Sequence, residues 1–292
     1  MKSIIEMGSM DWHTIGFEFQ KSYFENLLKK DRFLHAYLFS GPEMIGKRKF
    51  AQELCRLANP DSASVLDADR LVIGPRVNEG ESKIYIDDIR EVNLFISRKP
   101  LAGPYKFVII DDADRLTIEA SNALLKVLEE PPPYSTLLLI SSQPKQLLPT
   151  ITSRCQEVPF LPHTDEVIKK MLASKKADNE TSALVTEIAN GRLGWAIRTI
   201  ESGSIDDVRT AIRDFRKVSS QGVAERLQYA KKLYEKEEYA HAVDYWLRWA
   251  HAHLRDDEKA HRAIKGLLRL KHIISQPQYN HRLALETFLL NQ

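Results

Sequence analysis

The chain has 292 residues, more than most single compact cores hold, and suits roughly two or three domains. Its charges nearly cancel to a formal +2, so overall charge excludes a protein that coats nucleic acid, and any contact with DNA needs a local patch. Two cysteines without metal-ligand spacing, Cys55 and Cys155, exclude a disulfide framework and a zinc module and suit a reducing compartment.

Met1 to Trp12 lacks the apolar stretch and cleavage pattern of a signal peptide, and no later apolar run reaches the length of a membrane span, so a cytoplasmic location is expected. From about Ile15 to Pro162, short apolar runs alternate with amphipathic stretches, the pattern of helices flanking a parallel sheet. Tyr37 to Phe39, Lys106 to Ile110 and Thr136 to Ile140 read as strands buried on both faces, with functional loops at their carboxyl ends. Lys47 to Leu57 and Ile118 to Glu129 have helical spacing, and Pro131-Pro132-Pro133 stops the second helix. Asp61 to Lys83, of mixed charge and little periodicity, reads as a surface connection with one short strand at most.

After Pro162 the strand signals cease. Asp165 to Leu172, Glu180 to Asn190 and Leu193 to Glu201 read as short helices, with Gly191 as a stop between the last two. Beyond Gly203 the chain is expected to be helical throughout, with apolar positions at Val223, Leu227, Ala230 and Leu233, then at Val243, Trp246, Leu247, Ala250 and Leu254. The expected organisation is an α/β parallel-sheet domain over 1–162, a small three-helix domain over 163–203 and an all-α domain over 204–292.

Gly41-Pro-Glu-Met-Ile-Gly46-Lys47 follows a predicted strand and opens a predicted helix, the context of a phosphate loop. Glycines let backbone N–H groups approach phosphate oxygens, and the lysine supplies a point charge. The next position, which should carry a magnesium-binding hydroxyl, is Arg48; a guanidinium has donors only and cannot ligate a cation. The loop therefore reads as one that keeps the fold's turn without binding nucleotide, with ATP or ADP binding as the alternative. Phe107 to Ile110 run into Asp111-Asp112-Ala113-Asp114. Asp111 is where a phosphate-loop ATPase holds its metal. Asp112 stands where a glutamate would position water, and a displacement of about 1 Å there costs on the order of a hundredfold in rate. A solvated strand end leading into a helix start would account for the same acidic cluster.

His35-Ala-Tyr-Leu-Phe39, Ile84-Tyr-Ile-Asp-Asp-Ile-Arg90, Ala120 to Pro132 and Leu148 to Gln156, in that order, resemble the clamp-loader AAA+ proteins of bacterial DNA polymerase III. The resemblance implies a phosphate-loop NTPase-like AAA+ domain, a helical lid and a carboxyl-terminal helical collar that holds a ring. It further implies that Arg154, in Ser153-Arg154-Cys155, is an arginine finger presented in trans to a neighbour's ATP; a surface salt bridge is the bland alternative. Cys155 reads as a packing residue.

The family has ATP-hydrolysing members, gamma and tau, and a non-hydrolysing one. Arg48, Asp112 and Gly194, the last standing where family ATPases carry a sensor arginine, point to the non-hydrolysing branch; Trp195 reads as lid packing. The implied partners are the delta and gamma or tau subunits, the sliding clamp and primed DNA, with no required cofactor, no zinc and no enzymatic activity of the chain's own. An ATP-hydrolysing gamma/tau-like clamp loader or another AAA+ ATPase is the alternative. Lys259, Arg262, Lys265, Arg269 and Lys271 share one helical face, expected to be solvated opposite Ala263, Ile264, Leu267 and Leu268, with contact to DNA or another collar as the alternative.

Overall fold

The computed structural model describes residues 10–60, 68–78, 81–254, 258–276 and 278–292. The chain divides into two compact units, Met1–Pro162 and His163–Gln292.

In the first unit the elements run α1 (Glu18–Lys30), β1 (Ala36–Ser40), α2 (Lys47–Ala58), β2 (Arg70–Ile73), β3 (Arg76–Asn78), β4 (Glu81–Lys83) and α3 (Ile86–Ile96). They continue with β5 (Lys106–Ile110), α4 (Ile118–Glu129), β6 (Ser135–Ser141), α5 (Pro149–Thr152) and β7 (Gln156–Pro159). A parallel sheet has the order β2-β5-β6-β1-β7. Its central strands β1, β5 and β6 are buried along their whole length. Because side chains alternate across a strand, Leu38, Val108, Ile110, Leu137 and Leu139 enter one core with α3 and α4. Tyr37, Phe39, Phe107, Ile109 and Leu138 enter the other, around Phe24, Phe50 and Leu54. Parallel strands covered on both faces require such apolar runs.

The helix over 118–129 starts and stops where its pattern predicts, with Thr117 accepting from the Ala120 N–H at its start. Other elements differ from expectation. Within 61–83 the described residues form three strands rather than one: β2 joins the sheet as an edge strand, and β3 and β4 pair antiparallel. Strand β7 has only Val158 buried, so it carries no apolar run to announce it. Helix α1 buries only Gln20 and Phe24, too few positions to set a period. Among the described residues, no helix is long and apolar enough to cross a membrane; the expectation for Met1 to Trp12 falls mostly outside those residues.

The second unit is helical among its described residues: α6 (Asp165–Ser174), α7 (Asn179–Ala189), α8 (Leu193–Glu201), α9 (Ile205–Val218), α10 (Val223–Glu235), α11 (Tyr239–Ala252), α12 (Glu258–Ile274) and α13 (His281–Leu290). Asn190 and Gly191 both take left-handed backbone after α7, a helix stop that glycine accepts without steric cost. The core centres on Trp246, whose ring stacks on Phe215 at 4.7 Å and whose Nε1 donates to the Ala211 carbonyl at 2.9 Å. Two apolar positions fall outside the core: Val223, in the first turn of α10, and Leu268 are exposed, and on α12 Leu270 is buried together with Ala263 and Leu267. Lys265, Arg269 and Lys271 are exposed, and Lys271 pairs with Asp244 at 2.7 Å; the side chains of Lys259 and Arg262 lie outside the described residues.

Truncating Trp246 leaves a cavity and removes its ring stack. Trp246→Ala is expected to destabilise the second unit by about 3–5 kcal/mol, measured by urea unfolding; a loss below about 1 kcal/mol would contradict the central position of the ring.

Candidate functional site

Strand β1 delivers the chain into the Gly41–Gly46 loop, and α2 opens at Lys47 behind Gly46. Both glycines have positive φ, +147° at Gly41 and +115° at Gly46, where L side chains are strained. At Gly41 space is the harder limit: a Cβ would sit 2.1 Å from the Phe160 carbonyl oxygen, just past the end of β7. Lys47 is buried, and its Nζ donates to the loop's own carbonyls, Gly41 at 2.5 Å and Pro42 at 2.6 Å. Burial pulls its pKa down to about 8, against the opposing pull of Asp111 and its acidic neighbours.

Strand β5 brings Asp111 to the same edge, where its N–H donates to the Ile73 carbonyl at 2.8 Å. Arg48 Nη1 reaches Asp111 Oδ2 at 3.2 Å. Asp112 has left-handed backbone, φ 48°, and its carboxyl is raised by burial and by the adjacent Asp111 charge. Asp114 accepts from Ser141 Oγ at 2.5 Å and from the Ser142 N–H at 3.1 Å, and the Gln143 N–H donates to Ser141 Oγ at 3.0 Å. Asp114 thus ties the end of β6 to the end of β5. Magnesium demands a near-octahedral shell of oxygens. Here the hydroxyl position is a guanidinium, that guanidinium occupies Asp111, and Asp114 is engaged by β6; among the described residues no group of His, Cys, Asp or Glu is placed to hold a metal. The donor set does not fit magnesium.

A feature that sequence reasoning missed lies over the start of α2. Trp12 stacks on Phe50 at 4.7 Å and donates to Glu25 at 2.8 Å, and Phe17 sets its edge against Phe50 and Phe160. Glu53, buried, accepts from the backbone N–H groups of His13 and Thr14, from the Thr14 hydroxyl, and contacts His13 Nδ1 at 2.9 Å. The aromatic spacing of Trp12 and Phe17 was the available signal.

Arg154 lies elsewhere. It follows the short α5, whose Ile151 is buried in the core. Its Nη2 pairs with Glu129 Oε1 at 2.9 Å, and its Nη1 donates to the Thr150 carbonyl at 3.1 Å, with 37 % of the side chain exposed. In the parallel pairing of β1 and β7, Gln156 lies beside Tyr37. Gly41 is therefore about 13 Å further along the strands, at roughly 3.3 Å per residue. The structure brings Gly41, Gly46, Lys47 and Asp111 together at one sheet edge and puts Arg154 at the other. Cys155 is partly buried against the core, and burial raises its thiol to about 12. In the second unit Gly194 lies in the first turn of α8, and the buried Trp195 carries the Arg248 guanidinium 4.8 Å from its ring centroid.

Residues 17–164 match the family described as "DNA polymerase III, delta subunit". The chain is similar to the DNA polymerase III subunit delta' of Pseudomonas aeruginosa, 36% identical over 155 residues, 48% of this chain and 47% of the relative. It is similar to the delta' subunit of Bacillus subtilis, 33% identical over 177 residues, 56% and 54%, and to the tau subunit of that organism, 30% identical over 225 residues, 68% and 39%. The chain thus spans about half, or less, of the length of these relatives. A solved gamma subunit-related protein of DNA polymerase III from Thermotoga maritima shares the fold with a TM-score of 0.53 at 21% identity, covering 91% of this chain and 97% of that one.

The Glu53 cluster generates a pH dependence. Burial alone would raise this carboxyl, but hydrogen bonds from Thr14 and His13 override it and hold it at about 2 rather than 4.5. A depressed folded-state pKa gives stability that is full above the unfolded value and is lost as pH falls through the folded one. The contribution, on the order of 2 kcal/mol, is therefore expected to decay between about pH 4.5 and 2. Thermal melts of the protein and of Glu53→Gln should converge across that window; parallel curves would disprove the linkage.

Proposed function

Because the chain belongs to the DNA polymerase III delta-subunit family, in its delta-prime clamp-loader branch, we propose that it is a clamp-loader subunit that does not hydrolyse ATP and lends Arg154 to a neighbour's nucleotide. The observation that carries this reading is the division of the sheet. The phosphate loop stands at one edge with Arg48 paired to Asp111, and the finger candidate stands at the other, beyond reach of its own loop.

A planar, permanently charged guanidinium stabilises charge developing on a transferred phosphoryl group, which is what an arginine finger does. Glu129 holds Arg154 in wait; on docking, phosphate oxygens take the place of that carboxylate. Residues 163–203 serve as the lid and 204–292 as the collar of a ring containing delta and gamma or tau subunits. The ring opens the sliding clamp and closes it on primed DNA. Asp112, shorter by a methylene than the glutamate that positions water, and Gly194 support the absence of turnover in this subunit. A gamma/tau-like ATPase is the competing reading, favoured by the retained Lys47; magnesium-dependent turnover by the isolated chain would establish it.

The test is a ring reconstituted with its ATPase subunits and the Arg154→Ala chain. A finger contributes roughly 10³–10⁵ in rate at the site it serves, so DNA-stimulated ATPase and clamp loading are expected to fall while the ring still assembles on gel filtration. Arg154→Lys should not restore them, because a lysine lacks the planar fork. Unchanged ATPase with Arg154→Ala would remove the finger role.

A further inference from the structure

In phosphate-loop ATPases, the hydroxyl after the loop lysine and the aspartate at the end of the neighbouring strand are the protein's two hands on magnesium. Here those two positions grip each other. Arg48 comes from the first turn of α2, Asp111 from the end of β5, and Nη1 and Oδ2 are 3.2 Å apart. A guanidinium is a cation with donors only and no acceptor atom. It therefore satisfies the aspartate, repels a divalent ion, and offers that ion no ligand. Neither remaining carboxylate completes a shell: Asp114 is held by Ser141 and the Ser142 N–H, and Asp112 lies against Arg115 at 4.0 Å.

We infer that Arg48 is a resident substitute for the divalent cation, closing the metal position of the loop and uncoupling its phosphate chemistry from magnesium. This inference deepens the non-hydrolysing reading and rests on it only for the identity of the loop. Loss of metal affinity by simple decay of a ligand would leave Asp111 open to weak binding of a cation. A cation built in from the helix leaves nothing to bind, and it makes the loss reversible by one substitution. Because the Arg48 side chain is more than half exposed, the pair is worth little to folding, and replacing it should not unfold the domain.

The test uses the full chain, Arg48→Thr and Arg48→Thr/Asp111→Asn, with manganese followed by electron paramagnetic resonance and a fluorescent ADP titrated in EDTA and in magnesium. The unaltered chain is expected to bind no manganese at the loop and to show no magnesium dependence for ADP. Arg48→Thr is expected to bind manganese and to gain about tenfold or more in ADP affinity when magnesium is added, with the gain abolished by Asp111→Asn. Magnesium-dependent ADP binding by the unaltered chain overturns the inference. So does an Arg48→Thr chain that gains nothing from magnesium, whether it binds ADP equally in EDTA or not at all. Arg48→Gln, which keeps the stem and removes the charge, replaces the threonine variant if that one fails to fold, and must then expose manganese binding at Asp111. Every readout is on the isolated chain, so failure here leaves the Arg154 result in the ring untouched, and the reverse.

Discussion

Strand β1 is hydrogen-bonded to a parallel neighbour on each side, with Ser40 beside Ser141 of β6 and beside Pro159 of β7. In a parallel sheet all strands end at the same edge, and ligand chemistry gathers there. What lies at or after the end of a strand therefore meets at the carboxyl edge: the loop after β1, the acidic run after β5, and Ser141 and Ser142 where β6 ends. What precedes a strand is carried to the far edge. Arg154 precedes β7, and Glu129 ends the helix that leads into β6, so the two are brought together away from the loop. The separation of the two candidate sites is thus a consequence of connectivity, and no single side chain decides it.

At the carboxyl edge electrostatics takes over from topology. Lys47 is buried with a depressed pKa, and its ammonium rests on two carbonyls of the loop; Arg48 rests on Asp111. Both of these loop cations, Lys47 and Arg48, thus have a partner within the protein. The Gly41 requirement is likewise met by the fold, since the Phe160 carbonyl excludes any Cβ there. A glycine-rich loop with a lysine is thereby accounted for by its own packing, which is why the retained motif carries less weight than the residue that follows it.

Much of this was legible in the sequence because burial on both faces forces long apolar runs. β1, β5 and β6 could be read for that reason, and α4 from its helical spacing and the prolines that stop it. Strand β7 could not, because an edge strand with one buried residue leaves no pattern, and α1 buries too few side chains to set a period. At the candidate sites the residues were legible and their partners were not. That Arg48 lacks an acceptor follows from its chemistry, but that it lies against Asp111, 63 positions away, is tertiary. The same holds for Arg154 with Glu129, and for Glu53, which gave no hint that it gathers the N–H groups of His13 and Thr14.

The Arg154 pair has the physical properties that an exchangeable cation needs. Its base is fixed: Ile151 is buried, and Pro149, at the start of α5, accepts from the Ser153 N–H. Its head is loose, since a partly exposed arginine–glutamate pair is worth only about 0.2–1 kcal/mol and yields readily to a stronger acceptor. The Thr150 carbonyl keeps a second N–H engaged, so giving up Glu129 need not release the whole guanidinium to solvent. Fixed stem, cheap partner and a second anchor together preorganise the charge without locking it away. Arg48 differs in its partner rather than in the strength of its pair: Asp111 is the carboxylate a metal would need, so on the inference above that pair stands where the loop would otherwise take up a metal.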